Sequence, residues 1–192
     1  MTDHFAALDQ PRRPWIDPSA LKDHFHSLTA TLHPDIPLTG DATRFAMLNG
    51  AYQVLREPAS RLRHFLELER SGPSGDRPAV PASIASRFMT IAALRQAFET
   101  FMGEQRKASH ALQRALLAPQ RIDLEKQIAV VLNDLESVAQ QAMDDLRAAD
   151  AGWATDRVAA LPRLAELQAQ FAYLSKWIAQ LQEMRFALEA VR

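Results

Sequence analysis

The chain has 192 residues, with 22 Lys plus Arg against 23 Asp plus Glu, and no Cys. A hydrophobic share of 47% is enough for a buried core and argues against disorder, while the near-balanced charge gives no support for a nucleic-acid or anionic-membrane binder. Without Cys there is no thiolate catalysis, disulfide, zinc–thiolate site or Cys-held iron–sulfur cluster.

Within the apolar set, 33 Ala and 24 Leu stand against 7 Val and 7 Ile. Ala and Leu lead the helix scale and β-branched residues favour strands, so the expected fold class is all-α. No apolar run reaches the roughly 18 residues of a membrane span. No basic region followed by an apolar stretch opens MTDHFAALDQP, so no secretion signal is expected. A cytoplasmic protein off the membrane is the expectation.

A short segment, Asp3 to Leu8, comes first. Asp17 followed by Pro18 reads as an N-cap with Pro at the first helical position. Leu21, Phe25, Leu28 and Leu32 then fall at i, i+4, i+7 and i+11, one stripe of a helix that ends before Pro34. A loop over His33 to about Asp41 leads to a second helix striped by Phe45, Leu48, Tyr52 and Leu55, which ends before Pro58. The two predict an antiparallel hairpin. A further helix runs from Ala59 to about Arg70, marked by Leu62, Phe65 and Leu66.

The stretch SGPSGDRPAVP at 71–81 holds three Pro and two Gly and reads as a linker. The expected division is residues 1–71, a linker at 72–80, and 81–192. The last part predicts an elongated three-helix bundle. Its first helix carries Ile84, Phe88, Ile91, Leu94, Phe98 and Phe101 and continues to Ala118. Pro119 opens the second, with Leu124, Ile128, Val131, Leu135, Val138 and Leu146. A turn at Asp150, Ala151 and Gly152 leads to the third, with Leu164, Leu167, Phe171, Leu174, Ile178, Leu181 and Leu188, kinked or restarted at Pro162.

Chemistry-bearing patterns are sparse. The 6 His include no i, i+4 pair and no Glu-x-x-His, so no metal site is expected. There is no phosphate loop, no nucleophile elbow and no carboxylate pairing suited to acid–base work. The chain is not expected to be an enzyme or to hold a cofactor. Apolar residues off the core stripes, namely Met89, Tyr173 and Trp177, are the better interface candidates.

One tripeptide stands out by its context: His33-Pro34-Asp35, with an amphipathic helix running into it and an antiparallel helix returning. This arrangement resembles a J domain, the module that recruits and stimulates DnaK-type chaperones. The likeness continues in AYQVLREPASRLRHFLEL at 51–68. An N-terminal J domain with Asp3-His4-Phe5 in its first helix, followed by a helical bundle, is similar to HscB-type co-chaperones of iron–sulfur cluster assembly. SRFMTIAALRQAF at 86–98 and FAYLSKWIAQL at 171–181 stand where that family places scaffold-binding helices. The resemblance implies that His33, Pro34, Asp35, Lys22 and His26 meet a DnaK/HscA-type chaperone. It implies that Phe88, Met89, Ala92, Gln96 and Tyr173 meet an IscU-type scaffold. Two departures are visible. The helix before the tripeptide offers only Lys22, with His24 and His26, where J domains usually carry several Lys or Arg. The bundle offers Ala92, Ala93 and Gln96 where the family carries acidic residues.

Overall fold

The computed structural model describes residues 2–30, 41–69 and 81–191. Every element among them is a helix: α1 (His4–Ala7), α2 (Pro18–Thr29), α3 (Ala42–Arg56), α4 (Pro58–Glu69), α5 (Ala82–Ala85), α6 (Arg87–Lys107), α7 (Ala111–Trp153) and α8 (Arg157–Glu189). The all-α class read from Ala and Leu is the class observed. None of the described helices is long and apolar enough to cross a membrane.

The chain divides into two compact units. The first combines the described residues of 1–79 with Met143–Ala172, and the second combines those of 80–142 and 173–192. Residues 143–172, assigned by chain order to the bundle, therefore group with the N-terminal stretch.

In the first unit three Asp side chains cap helices, of which the sequence announced Asp17. Asp3 accepts from Phe5 N and Ala6 N to open α1. Asp9, at φ 49°, closes that helix, with Gln10 N–H donating back to the Phe5 carbonyl at 2.9 Å, a Schellman-type ending. Asp17 caps α2 through Ala20 N at 2.9 Å, and Asp41 caps α3 through Arg44 N at 2.9 Å. Each such cap contributes about 1 kcal/mol. Helix α3 packs on α1, α2 and α4. Phe5, Leu8, Leu21, Leu48, Ala51, Leu55, Leu62 and Phe65 are buried there.

Sequence reasoning missed how α7 closes this unit. Trp153 sets its ring edge-on to Phe65 at 4.9 Å. Asp150, expected in a turn, is still helical and buried. Its carboxylate takes a fork from Arg13, at 3.3 and 2.6 Å, and the Trp15 N–H at 3.2 Å. Arg147 lies over the Trp15 ring at 5.6 Å. Arg61 is also buried, 2% exposed, and donates to the carbonyls of Pro14 at 3.1 Å and Leu55 at 2.8 Å. Burial pushes its guanidinium down to about 10, against the pull of Asp150 and Glu57, so it stays charged at neutral pH.

The second unit is a three-helix core. Leu94 on α6 shares a groove with Val131 on α7, and Phe101 shares one with Leu117 and Val191, so α7 runs against α6 and the end of α8 runs with it. Ile84, Ile91, Leu94, Phe101, Leu124, Ile128, Leu132, Leu135, Leu174, Trp177, Leu181, Met184 and Leu188 form the buried cluster. Trp177, an interface candidate by position, belongs to this core.

The helix ends differ from expectation. The first bundle helix stops at Lys107 rather than Ala118. The reason is local: the side-chain oxygen of Gln113 accepts from Ser109 N at 2.9 Å and His110 N at 3.4 Å, satisfying the free donors at the start of α7. Pro119 does not open α7 but lies inside it, as Pro162 lies inside α8. Both sit within the first few turns, where the lost amide removes one bond and the flanking turns carry the helix on. The turn falls after Trp153, with Asp156 capping α8 through Ala159 N at 3.0 Å. At 43 residues, α7 takes in both residues 111–118, expected in the first bundle helix, and the turn expected at Asp150, Ala151 and Gly152.

Candidate functional site

Two regions were singled out from the sequence. The tripeptide His33-Pro34-Asp35 lies outside the described residues. The helices on either side of it in sequence are described, and they pair through aromatic contact. Phe25 of α2 stacks on Tyr52 of α3 at 4.3 Å, with the planes 13° apart. Leu21 is buried beneath, and the Thr29 hydroxyl donates to the Phe25 carbonyl at 2.8 Å near the end of α2. Lys22 and His26, four residues apart on one face of α2, are both exposed. The expected basic face is thus accessible and as thin as the sequence implied. Arg61, a possible supplement to it, is buried and unavailable; Arg63 is exposed.

The second region lies wholly in the second unit. Phe88, Met89, Ala92 and Gln96 are exposed on α6. Phe88 was expected on the core stripe but is 48% exposed. Its ring meets Trp177 edge-on at 5.6 Å. Tyr173 is half-buried, tilted against the same indole at 5.6 Å. Trp177 therefore acts as the floor that holds both rings. Phe88, Ala92 and Gln96 line a groove of about 360 Å³ between α6 and α8, with Arg95, Lys176 and Gln180 at its edge. The structure brings four of the five candidates, Phe88, Ala92, Gln96 and Tyr173, around one indole or the groove above it. Met89 stands on the crest of α6, 77% exposed. An apolar, aromatic-floored groove with a polar rim is suited to holding a protein segment. Among the described residues no group of three or more His, Asp or Glu could hold a metal ion.

Titratable groups with clear shifts lie elsewhere. Burial lowers His64, helped by His4 and opposed by Asp3 and Glu67. Its Nε2 accepts the His4 N–H at 3.1 Å. At the start of α6, Arg87 and Asp134 make a two-bonded pair at 2.5 and 3.0 Å.

No protein-family model matches the chain. A co-chaperone protein HscB homolog from Azoarcus sp. (strain BH72) is 38% identical over 73 residues, 34% of this chain and 41% of the relative. One from Paraburkholderia phymatum is 39% identical over 72 residues, again 34% and 41%. The match spans well under half the length of these curated relatives. In fold, the chain is similar to the crystal structure of human co-chaperone protein HscB, with a TM-score of 0.53, 15% identity, and coverage of 95% of this chain and 81% of that one. It is equally similar to the chaperone HscB from Vibrio cholerae, with a TM-score of 0.53, 17% identity, and coverage of 97% and 99%. The chain resembles HscB-type co-chaperones, in sequence over part of its length and in fold over nearly all of it.

Proposed function

We propose that this protein is a J-type co-chaperone of iron–sulfur cluster assembly. In this reading residues 1–71 are the J domain, 72–80 the linker, and 81–192 the client-binding bundle. His33, Pro34 and Asp35, with Lys22 and His26, engage a DnaK/HscA-type chaperone and stimulate its ATPase. Pro34 restricts its own φ and stiffens the loop, and the Asp35 carboxylate pairs with a partner Arg. The ATP chemistry is the chaperone's. Phe88, Met89, Ala92, Gln96 and Tyr173 hold an IscU-type scaffold, and one chain carrying both surfaces raises the effective concentration of client at the chaperone. The observation that carries this reading is the HscB-like fold over nearly the whole chain, combined with the tripeptide between α2 and α3 in sequence.

The thin cationic face of α2 favours a second reading, a helical adaptor whose J domain has lost stimulation. A J-protein with a different client is a third. Steady-state ATPase of the cognate chaperone separates the adaptor, which leaves the rate unchanged, from the other two. Titration with an apo iron–sulfur scaffold separates the first from the third. Met89→Ala with Tyr173→Ala should weaken scaffold binding by about 2–4 kcal/mol, the scale of two interface anchors, and leave the circular dichroism helical.

A further inference from the structure

Helix α6 is flanked by two grooves, not one. Beyond the groove toward α8, a second lies between α6 and α7. It has a volume of about 420 Å³ and is lined by Thr90, Ala93, Leu94, Lys126, Val130 and Val131, among others. Successive residues turn by about 100° on a helix. Phe88, Arg95 and Gln96 therefore border one groove, Thr90 and Ala93 border the other, and Met89 lies on the crest between them. Single exposed hydrophobics need no explanation. Here three of them lie along one strip of surface: Phe88 in the α8-side groove, Met89 on the crest, and Val130, 70% exposed, in the α7-side groove, with the small Ala92 and Ala93 exposed on α6. Small residues at the centre let a partner backbone approach closely.

The charges of the two linings are equally specific. Arg95 and Glu99 pair with each other at 2.9 Å. That leaves Lys176 on the α8 side and Lys126 on the α7 side, neither in an ion pair among the described residues. An apolar crest with an unpaired ammonium on each flank selects for an apolar segment carrying carboxylates. It disfavours a basic segment, because like charges brought together repel.

We propose that the client surface crosses α6 into the α6–α7 groove, and that it takes an apolar segment of a protein flanked on both sides by acidic residues. The inference rests on the reading of the bundle as a client-binding module and adds Lys126, Val130 and Lys176 to it. The test is calorimetric titration of the purified apo iron–sulfur scaffold of the source organism into the full chain and its variants. Val130→Asp and Lys126→Glu should each weaken binding about tenfold, and so should Lys176→Glu. Wild-type affinity should fall from low to physiological salt, and a Lys126→Gln, Lys176→Gln pair should lose that dependence. The three substituted side chains are exposed, so helical circular dichroism should be unchanged. If Phe88→Ala with Tyr173→Ala abolishes binding while Val130→Asp and Lys126→Glu do not alter it, the surface ends at the α8 side. That result overturns the inference and leaves the client reading standing. Tighter binding by the charge-reversed variants overturns the acidic partner. If the wild-type chain does not bind the scaffold at all, the client reading fails and the inference fails with it.

Discussion

Replacing Asp150 by Ala should destabilise the first unit far more than replacing Arg13. The Asp150 side chain is 6% exposed and accepts two bonds from Arg13 and one from the Trp15 N–H. Its charge also faces the buried Arg61. Removing the carboxylate leaves the Trp15 amide without its acceptor, a loss of about 1–3 kcal/mol. It also leaves the buried Arg61 guanidinium without a carboxylate that opposes its desolvation, and one-sided deletions at buried charges run to about 3–5 kcal/mol. These effects overlap, so about 3–4 kcal/mol is expected for Asp150→Ala. In Arg13→Ala the Asp150 carboxylate keeps the Trp15 N–H and the attraction of Arg61, and the partner it loses is 52% exposed, so the cost should be about 1 kcal/mol. In a chain of this length, about 3 kcal/mol corresponds to a fall in Tm of roughly 6–12 °C. Paired urea and thermal unfolding followed by circular dichroism would read both variants. Equal, small losses for the two would mean that the carboxylate is not the centre of this junction, and the reasoning from its geometry would be refuted.

Other consequences follow from single residues. His64 is held below its ordinary value mainly by burial, so the unfolded chain binds its proton more readily. Its contribution is therefore complete above about pH 6.5 and is lost as the pH falls from there through the folded value. Unfolding between pH 7.5 and 5 should show this loss, with a slope of at most about 1.4 kcal/mol per pH unit from this one proton, and His64→Gln should flatten it. Arg61→Lys keeps the charge but cannot reach both the Pro14 and Leu55 carbonyls, and should cost about 1–3 kcal/mol in urea unfolding. Trp177→Ala removes the floor beneath Phe88 and Tyr173 and should cost about 3–5 kcal/mol; a loss confined to client binding, with stability intact, would contradict its place in the core.

The parts of this fold that were legible in the sequence are those set by local chemistry. Asp17 before Pro18, and the stripes through Leu21 and Leu48, announce α2 and α3 because a cap and a period of 3.6 are written in neighbouring residues. The bundle core was legible for the same reason from Ile84 to Leu188. The exceptions came from choices made in three dimensions. Phe88 has core spacing, but a neighbouring indole leaves it half outside. Trp177 has the composition of an interface residue, but the width of a three-helix core takes it in. Asp150 was expected in a turn and nothing marked Arg61 as buried, because no short pattern reveals a partner 137 residues away in Arg13 or the Pro14 carbonyl 47 residues away. The end of α6 depended on the Gln113 side chain folding back, a signal that was present but weaker than the Pro at 119. On the client side, exposure at Met89 was readable from its place beside the stripe, whereas Lys126 and Val130 became visible only once α7 was set against α6.

The central claim, that this chain drives a chaperone's ATPase through His33-Pro34-Asp35, is tested most directly by single-turnover hydrolysis. The chaperone of the source organism, preloaded with ATP, is mixed with wild-type protein or with Asp35→Asn. The account predicts a clear acceleration by the wild type and none by the variant, with both chains equally helical by circular dichroism. Equal acceleration by the two proteins, or none by either, would contradict it.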